Sequence, residues 1–475
     1  MFKRNLFAAA ATFAFAAPLP GLAQDAELAK IREEIKQLKD AYEKRIQTLE
    51  KRLSEAEARA GKAEATASKA ERSAANAETA ATSATAARSG ENAFNPAMSL
   101  ILQGAYAHTS QDPNRFQITG FAPTGGEVGP PKRSFGLGET ELNVTANIDP
   151  YFRGVAIASL APEGGIGVEE AYFQTLALPQ GLGIKGGRFF SALGYLNEQH
   201  QHAWDFQDAP LVYKAFLGNQ LKQDGVQLKW VAPTDLFFEV GAELSAGDQF
   251  PGSDRNKNGI GGSALFGHLG GDIGASTAWR TGVSYLKASP SARSYQDTDS
   301  VGGAVTNSFT GSSKLWALDG VLKWSPNGNP TYYNFKLQGE YFRLRQDGTL
   351  TYDTAGNTAF GGAYSYFQTD QSGWYLQGAW QFYPRWRVGY RYDRLNFGRI
   401  SNGLVNNVPG LTAADFPVLA NHSPTRNTLM LDFSPTEFSR IRLQLAADKS
   451  RLGVTDNQAF VQYIYSLGAH GAHKF

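Results

Sequence analysis

The sequence predicts an all-β transmembrane barrel of about sixteen antiparallel strands preceded by an α-helical coiled coil. Three observations carry that prediction. In the segment Phe460 to Phe475, residues Val461, Tyr463, Tyr465, Leu467, Ala469, Gly471, His473 and Phe475 share one parity, mostly apolar or aromatic, with Gln462 and Ser466 on the other. A strand between lipid and water needs that period of two. The chain of 475 residues contains 51 Gly, 20 Tyr and 30 Phe at a mean hydropathy of -0.34, polar and aromatic together, as expected where only alternate residues meet lipid. Near Asn92–Pro96 an Ala/Glu/Lys-rich segment gives way to aromatic, Gly-rich sequence, so two periodicities divide the chain.

Taken in order, residues 1–23 read as a signal peptide: Lys3 and Arg4 precede the apolar stretch Leu6 to Ala17, and Gly21-Leu22-Ala23 offers small residues for cleavage. The apolar run ends at Pro18 and Pro20, short of the roughly 18 residues a spanning helix requires. Residues 24–92 read as a coiled coil that would stand in the periplasm. Leu28, Ile31, Ile35, Leu38 and Tyr42, then Ile46, Leu49, Leu53 and Ala56, then Ala60 onward, step by three and four. The insertion between Tyr42 and Ile46 is the kind of stutter that locally unwinds a supercoil. Such a rod, on the order of 80 Å long, is suited to assembling a homotrimer and to reaching peptidoglycan or a periplasmic partner.

Residues 97–475 read as the barrel. Tight turns are expected at Asp149-Pro150, Pro179-Gln180-Gly181, Pro233-Thr234-Asp235, Gly271-Asp272, Ser325-Pro326-Asn327-Gly328, Tyr383-Pro384 and Ser434-Pro435-Thr436. Long loops fall between them, near 109–134, 161–166, 191–222, 247–260, 288–312, 346–371, 397–425 and 449–455. Seven turns and eight loops make sixteen strands with both barrel ends in the periplasm. An even count is what a bacterial barrel needs. Partners implied by this reading are the lipid bilayer, lipopolysaccharide and small hydrophilic solutes.

Strand parity also predicts the pore lining. Trp386, Val388, Tyr390 and Tyr392 outward turn Arg387 and Arg391 inward, and the same test turns Arg426, Arg440 and Arg442 inward. Early strands give Glu139 and Glu141, then Glu239 and Glu243, on the inner face, with Lys185, Lys229, Lys323 and Lys336 interspersed. Placed across the lumen from one another, these walls would set up a transverse field that orients polar solutes.

Chemistry beyond transport finds little footing. Cysteine is absent, which excludes disulfides, thiolate nucleophiles and Cys-based zinc sites. Lys+Arg 45 against Asp+Glu 44 leaves no basic field for nucleic acid. No nucleotide-binding, hydrolase or zinc-enzyme motif is present, so no catalytic residue is assigned. His200 and His202 in the third loop have the chemistry to bind zinc or copper with Glu198 or Asp205. Asp254 to Gly259 matches only the first half of a calcium loop, since the twelfth position is Leu265.

The stretch from Gly167 to Tyr195, GVEEAYFQTLALPQGLGIKGGRFFSALGY, resembles the phosphate-selective porin O/P family: an aromatic strand, a short turn, and a second strand ending in Gly-Arg-Phe. The resemblance implies an outer-membrane porin, trimers, an inward-folded third loop and passive diffusion of small hydrophilic solutes, anionic or zwitterionic. The family's dense basic ladder is only partly present, so phosphate selectivity is not implied. The alternative is a receptor and uptake channel for a scarce metal ion or metal chelate, with His200 and His202 in its binding loop. Such a receptor needs a globular plug and a barrel of about 22 strands.

Overall fold

The computed structural model describes residues 96–468 apart from 126–127 and 161–163, together with 33, 36, 39–40, 43–52 and 54. The chain divides into two compact units, Met1–Ala93 and Phe94–Phe475. In the first unit the described residues are helical, with Ile46 and Leu49 exposed. The expected signal peptide, most of the heptad seam, and the terminal His470, His473 and Phe475 lie outside the described residues.

The second unit is a closed antiparallel sheet. Its strands are β1 (Ala97–Thr109), β2 (Ser134–Leu137), β3 (Thr140–Asn147), β4 (Phe152–Leu160), β5 (Ile166–Thr175), β6 (Leu182–Phe190), β7 (Lys222–Val231), β8 (Phe237–Ser245), β9 (Gly262–Ile273), β10 (Thr277–Ala288), β11 (Arg293–Thr298), β12 (Ala304–Trp324), β13 (Asn334–Thr351), β14 (Tyr364–Tyr383), β15 (Trp386–Asn402), β16 (Thr425–Thr436), β17 (Ser439–Asp448) and β18 (Asp456–Gly468). Both β2 and β3 pair with β1, and both β10 and β11 with β12, so each couple forms one interrupted strand and the wall has sixteen. Closure runs from Ser99↔Gly468 to Thr109↔Gln458. Closing the ring removes the two unpaired edges that lipid could not solvate.

Outward side chains explain why the sheet suits a bilayer. Trp316, Leu318, Leu337, Tyr341, Leu376, Trp380, Tyr390, Leu429, Leu443, Val461 and Tyr463 are all exposed, forming an apolar belt that only lipid can cover favourably. The seven short turns sit at one end, opposite the long loops. Two are displaced from their expected places, to 274–276 and to Glu437-Phe438. The loops expected over 288–312 and 346–371 are more than half strand instead, because β12 to β15 continue upward as a tall wall, whereas the loop expected over 397–425 is found at 403–424.

The barrel interior is where the sequence expectation changes most. Loop 191–221 folds into the lumen and carries a short helix, α1 (Leu211–Leu217), every residue of which is buried. Gly218 ends it at φ +66°, a left-handed conformation that glycine adopts without strain. Leu211, Val212 and Phe216 pack against inward-facing Leu286, Leu315, Phe342, Leu344 and Leu395. Inward positions on β10 to β15 are therefore partly apolar, because they receive a helix rather than water.

A second cluster forms beyond the belt. Strand-end residues Val305, Phe309, Leu350, Tyr352 and Phe367 pack with Leu404 of α2 (Gly403–Asn407) and with Leu411, Phe416, Val418 and Leu419 of the loop that follows. At its edge Asp297 accepts from the backbone N–H of Thr298 and, at 3.4 Å, of Val418; burial pushes its carboxyl up to about 6. Burial would also raise Asp415, but hydrogen bonds from Ser300 and Thr412 outweigh it and hold that carboxyl down at about 2.

Candidate pore constriction

Loop 191–221 is tied at its neck before it reaches the lumen. Asn197 donates to the carbonyls of Ser191 (2.8 Å) and Leu221 (2.9 Å) and accepts from Leu221 N–H (2.8 Å). One asparagine thus joins both ends of the excursion and satisfies backbone groups that burial would otherwise leave unpaired.

Beyond the neck, two glutamates grip the descending chain. Glu243 accepts from Ser191 Oγ (2.6 Å) and Ala192 N–H (2.8 Å). Glu340 accepts from Tyr195 and Leu196 N–H (3.0 and 3.1 Å), from Tyr213 Oη and from Tyr375 Oη (2.7 Å). Its two oxygens replace the water that these donors lost on entering the wall.

The loop then presents imidazoles to one arc of the wall and carboxylates to another. His200 Nε2 lies 3.0 Å from Glu170 Oε2, and His200 Nδ1 lies 3.2 Å from Glu141 Oε2 and 3.4 Å from Glu169 Oε2. His202 Nδ1 lies 2.9 Å from the other oxygen of Glu141. Adjacent residues on a regular strand face opposite ways, yet Glu169 and Glu170 are both buried. The β4–β5 register explains this: Ile157 pairs with Glu170 and Ala158 with Val168, so Glu169 is the extra residue of a bulge. Bulges re-aim side chains in this way.

On the other arc, Asp205 pairs with Arg387 and with Lys336 (3.0 Å). Asp208 pairs with Arg426, Arg391 (3.0 Å) and Lys214 (3.1 Å), and accepts from Gln444 Nε2 (3.0 Å). Arg391 also holds Asp393, whose second oxygen caps Leu211 N–H at 2.9 Å. Arg440 donates to the carbonyls of His202 and Trp204 (both 3.2 Å), and Arg442 to Trp204 (3.0 Å) and to Asp432 (2.8 Å).

This arrangement corrects the expected transverse field. Arg387, Arg391, Arg426, Arg440 and Arg442 are on the inner face, but their charges are spent on the loop and on neighbouring aspartates. The acidic and basic groups are not simply opposed either: only β18 and β1 separate β17 from the wall strand carrying Glu139 and Glu141. Glu239 pairs with Lys229 on the adjacent strand (3.0 Å) and with His268 (3.1 Å), and Lys185 lies over the rings of Tyr172 and Phe189. His200 and His202 meet Glu141, Glu169 and Glu170 in place of the expected Glu198 or Asp205, because Asp205 is held by Arg387 and Lys336. Asp254 to Gly259 forms an exposed Asx turn closed by Asn256 N–H on Asp254 (3.2 Å).

Toward the short-turn end a cavity of about 550 Å³ remains, lined by Lys323, Lys336, Arg387 and Asp205 together with turn residues 274–278. Sequence reading missed Glu169, Glu170, Asp208 and Glu340 as loop anchors. A signal for Glu340 existed, since it lies between apolar Phe342 and Leu344 and polar Gln338 on one parity, an unusual mixture for a wet wall.

No protein-family profile matches the chain, so the likeness to the phosphate-selective porin O/P family rests on Gly167–Tyr195. Among solved structures, the loop L8 deletion mutant of OmpT from Vibrio cholerae aligns with a TM-score of 0.48 and 12% identity, covering 78% of this chain and 99% of that one. The outer membrane channel DcaP of Acinetobacter baumannii aligns at 0.45 and 12%, covering 78% and 97%. OprB of Pseudomonas putida aligns at 0.45 and 14%, covering 78% and 94%. In sequence, an uncharacterized protein of Aquifex aeolicus (strain VF5) is 33% identical over 365 residues, which is 72% of this chain and 71% of the relative. Identity of that extent over most of both proteins places them together: the chain belongs to the family of this Aquifex aeolicus protein.

Proposed function

We propose that this protein is an outer-membrane porin, working as a homotrimer, that passes small hydrophilic solutes by passive diffusion and favours anionic or zwitterionic ones. The observation that carries the reading is the lumen itself: a closed sixteen-strand wall with an apolar belt outside and an inward-folded third loop narrowing a charged interior. Preference for anions rests on the cavity toward the short turns, where three cations, Lys323, Lys336 and Arg387, outnumber two carboxylates, Asp272 and the Asp205 that pairs with Lys336 and Arg387. Cations gathered at a narrow, low-dielectric passage raise the local concentration of anions. Kinship with the phosphate-selective porin O/P family, a periplasmic coiled coil that assembles the trimer, and contact with peptidoglycan belong to the same reading.

Binding without catalysis fits the interior, where the buried carboxylates and histidines are engaged in holding a loop. An energised receptor would need a globular plug, whereas the described segment folded inside this barrel is loop 191–221 with a 3-10 turn and one short α-helix, on which Ile118 and Phe121 of the first long loop pack. Single-channel recording in a planar bilayer tests the reading. Conductance steps in groups of three, with a reversal potential in asymmetric salt that marks anion preference, are expected. Absence of conductance would remove the open-porin reading, and cation preference would remove the role given to Lys323, Lys336 and Arg387.

A further inference from the structure

The geometry points to a zinc-type divalent-cation site formed by Glu141 Oε2, Glu169 Oε2 and His200 Nδ1, which fastens the third loop to the wall at β3 and β5. These three atoms lie within 4.8 Å of one another. His200 Nδ1 stands 3.2 and 3.4 Å from the two oxygens. Metal–ligand bonds of roughly 2.0–2.2 Å set at tetrahedral angles place neighbouring ligand atoms about 3.4 Å apart, so the spacing is that of two edges of a metal polyhedron. His200 Nδ1 is shut off from solvent, and although the two carboxylate oxygens flank it, neither is placed for a well-directed hydrogen bond.

The surroundings supply what a metal-binding imidazole requires. Glu170 Oε2 sits 3.0 Å from Nε2 of the same ring, so a ring that ligates a cation through Nδ1 keeps its proton on Nε2 and donates it to Glu170. A carboxylate behind a ligating histidine is the usual means of fixing its tautomer and orientation. The second oxygen of Glu141 is held in turn by His202 Nδ1 at 2.9 Å, which orients the first. Charge argues the same way: Glu141, Glu169 and Glu170 converge on one imidazole, and buried carboxylates gathered in this way are an arrangement that a divalent cation offsets. One nitrogen and two oxygen donors suit zinc or a similar first-row ion better than calcium, which prefers oxygen throughout. His268 at Glu239 and the turn at Asp254 lack such convergence.

The inference concerns the loop and stands whether or not the pore conducts. It is tested on the full-length protein without a polyhistidine tag, folded in detergent, stripped with chelator and titrated with zinc chloride by calorimetry, with calcium chloride as the contrast. One zinc per chain is expected, with calcium at least tenfold weaker. Glu141→Gln, Glu169→Gln and His200→Gln are each expected to weaken zinc by roughly tenfold or more, and Glu170→Gln, which acts on the ring's orientation, by about tenfold. Zinc uptake unchanged in His200→Gln, or no uptake by the wild-type protein, overturns the assignment. Should the variants fail to fold, judged by heat-dependent gel mobility, zinc-edge absorption on the wild-type protein decides: one imidazole with oxygen ligands supports the site, and two or more imidazoles, or none, refute it.

Discussion

Loop 191–221 and loop 403–424 are both irregular segments that bury apolar side chains against strands, yet the first is held in addition by a network of buried charged groups. The first is anchored by charge-assisted hydrogen bonds to Glu243, Glu340, Arg391, Arg426 and Arg442. The second is anchored by apolar side chains, Leu404, Leu411, Phe416, Val418 and Leu419, on Phe309, Leu350, Tyr352 and Phe367. The difference follows from what each wall offers. A lumen must accept polar side chains, and once a loop has displaced the water those groups need partners, so removing one of them leaves a buried charge. Beyond the membrane the strand ends can carry Phe309 and Leu350 inward, and the loop covers them for the ordinary hydrophobic gain.

Asp208→Ala should cost the most. It removes the carboxylate paired with Lys214 and one of the two paired with each of Arg391 and Arg426, which keep Asp393 and Asp448; a cost of about 3–5 kcal/mol is expected, read as a lowered midpoint in heat-dependent gel mobility. Adding Arg426→Met should restore part of the loss; no recovery would mean that Asp208 acts through packing instead. Phe416→Ala should cost about 3 kcal/mol but locally: hydrogen exchange of residues 411–419 should accelerate while the neck at Asn197 stays protected. Glu340→Gln keeps the shape and loses the charge that takes up to four donors, so about 2 kcal/mol is expected, with faster exchange at Tyr195 and Leu196.

The smallest effect distinguishes the loops by pH. Asp297 has a folded value near 6, above the ordinary carboxyl value of about 3.9. Its contribution is therefore fully present below pH 4 and is lost as pH rises through 6. The outer cluster should lose about 1–2 kcal/mol between pH 5 and 7 after allowance for screening, and Asp297→Asn should abolish the dependence. Asp415, held near 2, contributes above pH 4 and fails only as pH falls toward 2, so it leaves that window flat. Exchange rates at residues 415–419 across pH, corrected for intrinsic chemistry, provide the check.

Much of the wall was legible because its signal is local. Alternation in Leu429, Leu431 and Phe433 or Val461, Tyr463 and Tyr465 fixes a face without knowledge of the partner strand, and Pro/Gly/Asn turns mark the short end. Loop anchors were not legible, since Tyr213 and Glu340 are separated by 127 residues and Arg442 and Trp204 by 238. Period-two reading also assumed a wet lumen, which hid the apolar seat of α1 in Leu315, Phe342 and Leu344. It failed at Glu169 for a definite reason: a bulge breaks the alternation on which the reading depends, and nothing in Val168-Glu169-Glu170-Ala171 announces one.

The neck at Asn197 has a consequence for assembly. The loop leaves the wall between β6 and β7, whereas Glu340, Arg391, Arg426 and Arg442 belong to β13, β15, β16 and β17. When the first half of the sheet has formed, the loop is tied at its base with most of its partners still unplaced. Enclosing the loop therefore requires β13 to β17 to close around it, with the pairing of β1 and β18 completing the ring. A chain that zips this seam with the loop outside would be a trapped species, with its interior charges unpaired and no route inward except reopening the ring.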